Sequence, residues 1–281
     1  MDFRKFANLI MIEQTLFALP FAYIGIVFAG GGSVWTWIWA TVAVVAARTA
    51  GMAFNRYFDA EIDAKNPRTK NRALPAGEVS KTEVLSIAVA SSFFLIVAAY
   101  LLNTLCFYLS FLAVGMLATY SLFKRFSSSS HLYLGLIEAA APVGGYLAVS
   151  GDFQLMAFVL GGAIMAWIAG LDIVYAIQDR SFDMDQKLFS VPVRFGVERA
   201  KLISAGLYVV SLGALVAAGL LAGKGVVYWL TVICVGLVFI KQQLLARQQD
   251  IEEAVRHIFQ LNNFVSPVLL AGTVLDLFIK L

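Results

Sequence analysis

Uninterrupted apolar runs of about 17 to 25 residues recur along this chain, each long enough to cross roughly 30 Å of hydrocarbon as an α-helix. Such runs exclude a soluble core, because no 281-residue domain has enough interior to bury them all. The composition agrees: 60% of residues are hydrophobic, 14% are charged, and the mean hydropathy is +0.80. A β-barrel would show short alternating segments in place of these runs. The opening "MDFRK" contains an acid and Glu13 interrupts the next run, so the first span is expected to stay as a span and not to act as a cleaved leader. Cys106 and Cys234 lie in apolar spans with no CxxC spacing, and both are expected to be buried packing residues.

Residues 12–30, 35–57, 84–102, 104–123, 132–149, 155–178, 201–222, 225–246 and 263–280 read as nine transmembrane helices of one all-α domain, 1–281. The connections alternate in character. Four are short and nearly uncharged, whereas the others are long and basic, carrying Lys65, Arg68, Lys70, Arg72, Lys124, Arg125, Arg180, Lys187 and Arg194 among others. Of 21 Lys and Arg, all but Lys224 and Lys280 lie on or nearer the side of the long loops. The positive-inside bias therefore puts the N-terminus and these loops in the cytoplasm, in a protein of the inner (cytoplasmic) membrane.

The second and sixth spans lead into the two longest loops, and both end in acids. In "NRYFDAEID", Asn55, Asp59 and Asp63 fall within about 80° of arc on a helix. In "LDIVYAIQDRSFD", Asp179 and Asp183 repeat the four-residue spacing, and Asp172 lies two turns deeper, within roughly 20° of Asp179. "RALPAG" follows the first stripe and "FSVPVRFG" the second, so the chain reads as two related halves, each bringing an acidic helix end to one face.

One such stripe alone is as well explained by solvated charges or by ion pairs with Arg56, Arg68 or Arg180. Two matching stripes are different, because four converging carboxylates repel unless positive charge lies among them. Magnesium suits them: it takes oxygen ligands and is held by one or two carboxylates together with substrate phosphates. The basic loop residues suit the remaining phosphate oxygens. A diphosphate that belongs in lipid is an isoprenyl diphosphate, whose departing group metal and cations stabilise while the hydrocarbon tail lies among the spans. No Ser/His/Asp or Cys/His set is evident, and His131 and His257 read as surface residues at loop ends.

With "NRYFDAEID" and "DRSFD" as paired aspartate motifs, "RALPAG" after the first, "YSLFKR" at 120–125 and "YAIQD" opening the second, the whole chain resembles the UbiA superfamily of intramembrane prenyltransferases. The resemblance implies that Asn55, Asp59 and Asp63 hold one Mg2+ and Asp179 and Asp183 another. It further implies that Arg72, Lys124 and Arg125 contact the diphosphate, with Tyr120 near the reacting carbon. Arg48, about 10 Å deeper in its span, is the choice for the acceptor's carboxylate, against a structural pair with Asp172 or Glu138. Asp172 is a candidate for ring deprotonation, and Phe54, Tyr57, Phe58 and Tyr175 are candidates for cation–π stabilisation of an allylic cation.

The expected reaction is Mg2+-dependent transfer of a polyprenyl chain from polyprenyl diphosphate to a ring carbon of an aromatic carboxylate, of the 4-hydroxybenzoate class, in respiratory quinone synthesis. A naphthoate acceptor of menaquinone synthesis remains an alternative. So does a secondary transporter using Arg48, Glu138 and Asp172, although transporter sites lie near the midplane and the conspicuous acids here lie at one face. Membrane lipid is the expected surrounding, and neither nucleic acid nor an obligate protein partner is called for.

Overall fold

The computed structural model describes residues 3–279, with the side chains of 3–5 and 12–16 excluded. Lys280 and the side chain of Glu13 therefore lie outside the described residues. Among them there is no strand, and the order is α1 (Phe3–Ile10), α2 (Ile12–Phe28), α3 (Val34–Lys65), α4 (Lys81–Leu102), α5 (Thr104–Thr119), a 3-10 turn (Tyr120–Arg125), α6 (Ser130–Ser150), α7 (Leu155–Ile177), α8 (Arg180–Asp185), α9 (Val191–Phe195), α10 (Val197–Leu221), α11 (Val226–Leu245) and α12 (Ile251–Phe278).

Eight of these are long and apolar enough to cross a membrane: α3, α4, α5 with its 3-10 turn, α6, α7, α10, α11 and α12. The apolar part of α2 is the shorter segment Phe17–Phe28. The chain is thus an integral, multi-pass, all-helical membrane protein. Cys106 is buried as expected, whereas Cys234 is exposed, on a face of α11 that also shows Leu230, Ile233 and Leu237.

Local chemistry sets the helix ends. Ser80 and Glu83 form a reciprocal capping box at the start of α4, the Ser80 hydroxyl accepting from Glu83 N and the Glu83 carboxylate from Ser80 N at 2.8 Å. Asn103 caps α5 and also donates to Leu147 O at 2.8 Å, fastening α5 to the end of α6. Asp250 caps α12, which begins well before the expected 263.

With lipid as solvent, close backbone approach and van der Waals contact replace hydrophobic segregation as the packing force. The crossing of α2 and α6 shows this: a Cβ on Gly145 would stand 2.0 Å from Ala22 O, and one on Gly25 would stand 2.1 Å from Pro142 O. At the centre lies α7, enclosed by α6, α10 and α2. Its Trp167 is 1% exposed and meets the edges of Phe17 and Phe21.

The second acidic segment departs from expectation. Helix α7 ends at Ile177, and Asp179 sits at φ −93°, ψ 1°, at the head of α8. Asp172 therefore belongs to α7, and Asp179 and Asp183 do not continue its stripe.

Candidate active site

The last turns of α3 carry Asn55, Asp59 and Asp63 as a continuous helix, so their local spacing fixes one shared face. Asn55 Nδ2 donates to Asp59 Oδ2 at 3.0 Å. The 3-10 turn that ends α5 brings two cations to this face. Lys124 Nζ donates to Asp59 Oδ2 at 2.7 Å, and Arg125 Nη2 donates to Phe58 O at 2.5 Å while lying 3.7 Å from Asp59 Oδ1. Asp59 is only 2% exposed, and its Oδ1 has no hydrogen-bond partner.

The loop after α3 folds back on the same stripe. Thr69 Oγ1 donates to Asp63 O at 3.0 Å, which places Arg72 Nη1 at 2.9 and 2.8 Å from the two Asp63 carboxylate oxygens. Arg68, from the same loop, reaches across to the second acidic segment. Its Nε and Nη2 clasp the Asp179 carboxylate at 3.1 and 2.7 Å, a bidentate geometry that lysine cannot supply. A further nitrogen donates to Tyr175 OH, and the guanidinium lies 5.0 Å from the Tyr175 ring centroid. Burial is the largest single influence and opposes the Arg68 charge, but Asp179 and Tyr175 together outweigh it and hold the group above its ordinary range.

Asp183 follows one turn later. Burial pushes its carboxyl up to about 6, with Asp179 repulsion adding to the rise and Ser190 and Lys124 opposing it. Phe189 N donates to Lys124 O at 2.7 Å, so the loop after α8 is sewn to the 3-10 turn. Lys124 and Arg68 thus bind both acidic segments into one site. Arg180, a sequence-level candidate for pairing with these aspartates, bonds Pro192 O instead.

Below this charged layer lies a cavity of about 1520 Å³. Its lining extends from Arg68 and Arg72 at the loop face to Leu102, Leu147 and Phe153 near the opposite helix ends. Arg48, Asn55, Tyr120, Asp172 and Tyr175 all line it. Arg48 is ion-paired with Glu138, the second of the two structural partners considered above. Arg56, the remaining ion-pair candidate of the sequence reading, is 5% exposed and lies 4.0 Å from Asp63 Oδ2.

Asp172 meets a residue that the sequence reading misplaced. His131 is 4% exposed, not a surface residue, and its Nδ1 lies 2.7 Å from Asp172 Oδ2. Forty-one positions separate the two, and no local pattern announces the contact. His257 is exposed, as expected.

Magnesium can be tested against these residues. Among the described residues no three acids, histidines or cysteines form a ready-made cage. The donors are nonetheless all oxygens, Asp59 Oδ1 is buried without a partner, and Asp179 and Asp183 repel each other. That set suits a hard divalent ion sharing its coordination with phosphate oxygens.

The model of the UbiA prenyltransferase family matches residues 18–264. The chain is 30% identical over 274 residues to a 4-hydroxybenzoate octaprenyltransferase of Aeromonas salmonicida, covering 97% of this chain and 92% of that protein. Among solved structures, the apo form of a UbiA homologue from Aeropyrum pernix superposes with a TM-score of 0.88 at 32% identity, covering 95% of this chain and 98% of that one. A UbiA homologue from Archaeoglobus fulgidus bound to DMAPP and Mg2+ shares the fold with a TM-score of 0.75 at 18% identity, covering 98% and 99%. This chain belongs to the UbiA prenyltransferase family.

Proposed function

We propose that this protein transfers a polyprenyl group from polyprenyl diphosphate to a ring carbon of an aromatic carboxylate, with 4-hydroxybenzoate as the acceptor, in respiratory quinone synthesis. The observation that carries this reading is the continuity of the charged layer with the cavity of about 1520 Å³, which joins a diphosphate-type site to a space for hydrocarbon. The relative from Aeromonas salmonicida is named for the same acceptor, and the Archaeoglobus fulgidus homologue was bound to an allylic diphosphate and Mg2+.

In this reading Asn55, Asp59 and Asp63 hold one Mg2+ and Asp179 and Asp183 a second. Magnesium would supply Lewis-acid neutralisation of the departing diphosphate. Arg72, Lys124 and Arg125 bind diphosphate oxygens and oppose the charge that develops as the carbon–oxygen bond breaks. Arg68 holds Asp179 and Tyr175 in place across the cleft. Tyr120 and Tyr175 line the cavity where the allylic carbon lies, and their rings favour a cation there. Arg48 binds the acceptor carboxylate while remaining paired to Glu138, since five N–H donors allow one guanidinium to serve two carboxylates.

The wider reading completes the architecture. Helix α2 is the ninth span, residues 1–281 form one domain of two pseudo-repeated halves, and the long basic loops face the cytoplasm from the inner membrane. Membrane lipid surrounds the protein, and no nucleic acid or obligate protein partner takes part. The test is purified protein with Mg2+, labelled polyprenyl diphosphate, and 4-hydroxybenzoate or a dihydroxynaphthoate in parallel. Prenylated benzoate is the expected product. Product with the naphthoate alone would move the acceptor, and failure to bind the diphosphate would overturn the enzyme reading.

A further inference from the structure

We propose that His131 is the positioning residue for Asp172, and that Asp172 so held accepts the proton the acceptor ring loses after prenylation. This rests on the prenyltransferase reading above. The hydrogen bonds fix the tautomer. Val191 N donates to His131 Nε2 at 3.1 Å, and a backbone amide can only donate, so Nε2 presents a lone pair. The ring hydrogen is therefore on Nδ1, which donates to Asp172 Oδ2 at 2.7 Å. One carboxylate oxygen is held, and the side chain, 24% exposed against 5% for His131, lines the cavity with its remaining surface.

Of the other carboxylates, Asp183 is not among the residues lining the cavity, and three more are held in ion pairs. Asp59 is bound by Lys124, Asp63 by Arg72 and Asp179 by Arg68. Of the acids lining the cavity, Glu138 is paired with Arg48 and Glu78 is exposed in the loop after α3. Asp172 is the cavity acid whose partner is a neutral donor, so its charge is oriented without being cancelled.

The step balances without any further reactant. The prenyl carbon–oxygen bond breaks and its electron pair leaves with the diphosphate. The ring carbon ortho to the acceptor hydroxyl bonds to the prenyl carbon. The proton on that ring carbon then passes to Asp172, and the carbon–hydrogen electrons restore the aromatic ring.

The two hydrogen bonds of His131 can be separated by substitution. In His131→Asn the amide nitrogen stands near the Nδ1 position and still donates to Asp172, but the acceptor for Val191 is lost. In His131→Gln the side-chain oxygen reaches the Nε2 position for Val191, but the donor to Asp172 is lost. The measurement is steady-state kinetics with 4-hydroxybenzoate and with its ring-deuterated form carrying deuterium ortho to the hydroxyl.

The expected result is a fall in kcat of about tenfold or more for His131→Gln, with KM for the prenyl diphosphate unchanged and a primary isotope effect larger than that of the parent chain. His131→Asn should stay within about threefold of the parent, since it keeps the bond that matters. Full kcat in His131→Gln, a loss without an increased isotope effect, or a larger loss in His131→Asn would each overturn the dyad and leave His131 as a loop tether. Should His131→Gln fail to fold, Asp172→Asn carries the same isotope test. A parent chain that forms no product overturns the prenyltransferase reading itself, a failure distinct from that of the dyad.

Discussion

Lys124 Nζ lies 2.7 Å from Asp59 Oδ2, and this bond joins the end of α5 to the end of α3 across 65 positions of sequence. Asp59 is 3% exposed on its side chain and Lys124 31%, so the carboxylate depends on this partner more than the ammonium does. Replacing Lys124 by Met leaves Asp59 with Asn55 at 3.0 Å and Arg125 at 3.7 Å. The expected loss is roughly 2 kcal/mol of stability and about a hundredfold in kcat. Thermal unfolding in detergent, alongside turnover, checks both.

Asp59→Asn together with Asp63→Asn removes two carboxylate charges and keeps the side-chain shapes. Folding and membrane insertion should survive. Mg2+-dependent turnover should fall by about two orders of magnitude or more. Normal turnover in well-folded double-mutant protein would remove these residues from the metal site.

Asp183 gives the site an acid limit. Its folded-state pKa is raised to about 6 from an ordinary 3.8, so below pH 6 the carboxyl is neutral. The folded chain then binds this proton more tightly than the unfolded chain does. Without metal, the destabilising effect of the Asp183 charge is full above pH 6 and fades as pH falls toward 3.8. Metal binding runs the other way, because it needs the carboxylate. The Mg2+ concentration for half-maximal activity should be flat from pH 7 to 8 and rise about fivefold between pH 6 and 5. A requirement unchanged at pH 5 would take Asp183 out of the ligand set.

Arg48 and Glu138 should respond in opposite directions. Arg48→Gln removes the cation and raises KM for the acceptor about tenfold or more, with KM for the prenyl diphosphate unchanged. Glu138→Gln removes the ion pair that competes for Arg48 beside the cavity and should lower the acceptor KM. Parallel changes in the two variants would mean that the pair is structural only.

Gly144 and Gly145 are neighbours with different surroundings. A Cβ on Gly144 meets nothing within 4 Å and faces the cavity, whereas one on Gly145 stands 2.0 Å from a backbone oxygen of α2. Gly144→Phe should fold and narrow the cavity, reducing use of long-chain more than of short-chain diphosphates. Gly145→Ala should cost about 1 to 3 kcal/mol through forced separation of α2 and α6. Product length distribution and melting temperature separate the two effects.

Much of this molecule is determined one stretch at a time, and that part was legible in the sequence. Eight long apolar helices follow from run length, because lipid forces a backbone to satisfy its own hydrogen bonds. Asn55, Asp59 and Asp63 share a face because four-residue spacing on a helix is a local fact. The span's end near 178 was legible, but the acidic stripe was read straight through it, because neither proline nor glycine marks the break and the N-cap residue of α8, Asp179, was itself counted in the stripe.

Tertiary structure alone decided the partners. Residues 48 and 138 are 90 positions apart, and the choice of Glu138 over Asp172 for Arg48 depends on how α3, α6 and α7 pack. His131 at the start of α6 is buried where the first residue of α9, Val191, donates to it, a contact that no property of the histidine's own neighbours requires. Sequence determined which side chains the chain brings to one face, through periodicity that needs no knowledge of the rest of the fold. Which of them bond was set by packing between distant helices, where a contact distance depends on many residues at once.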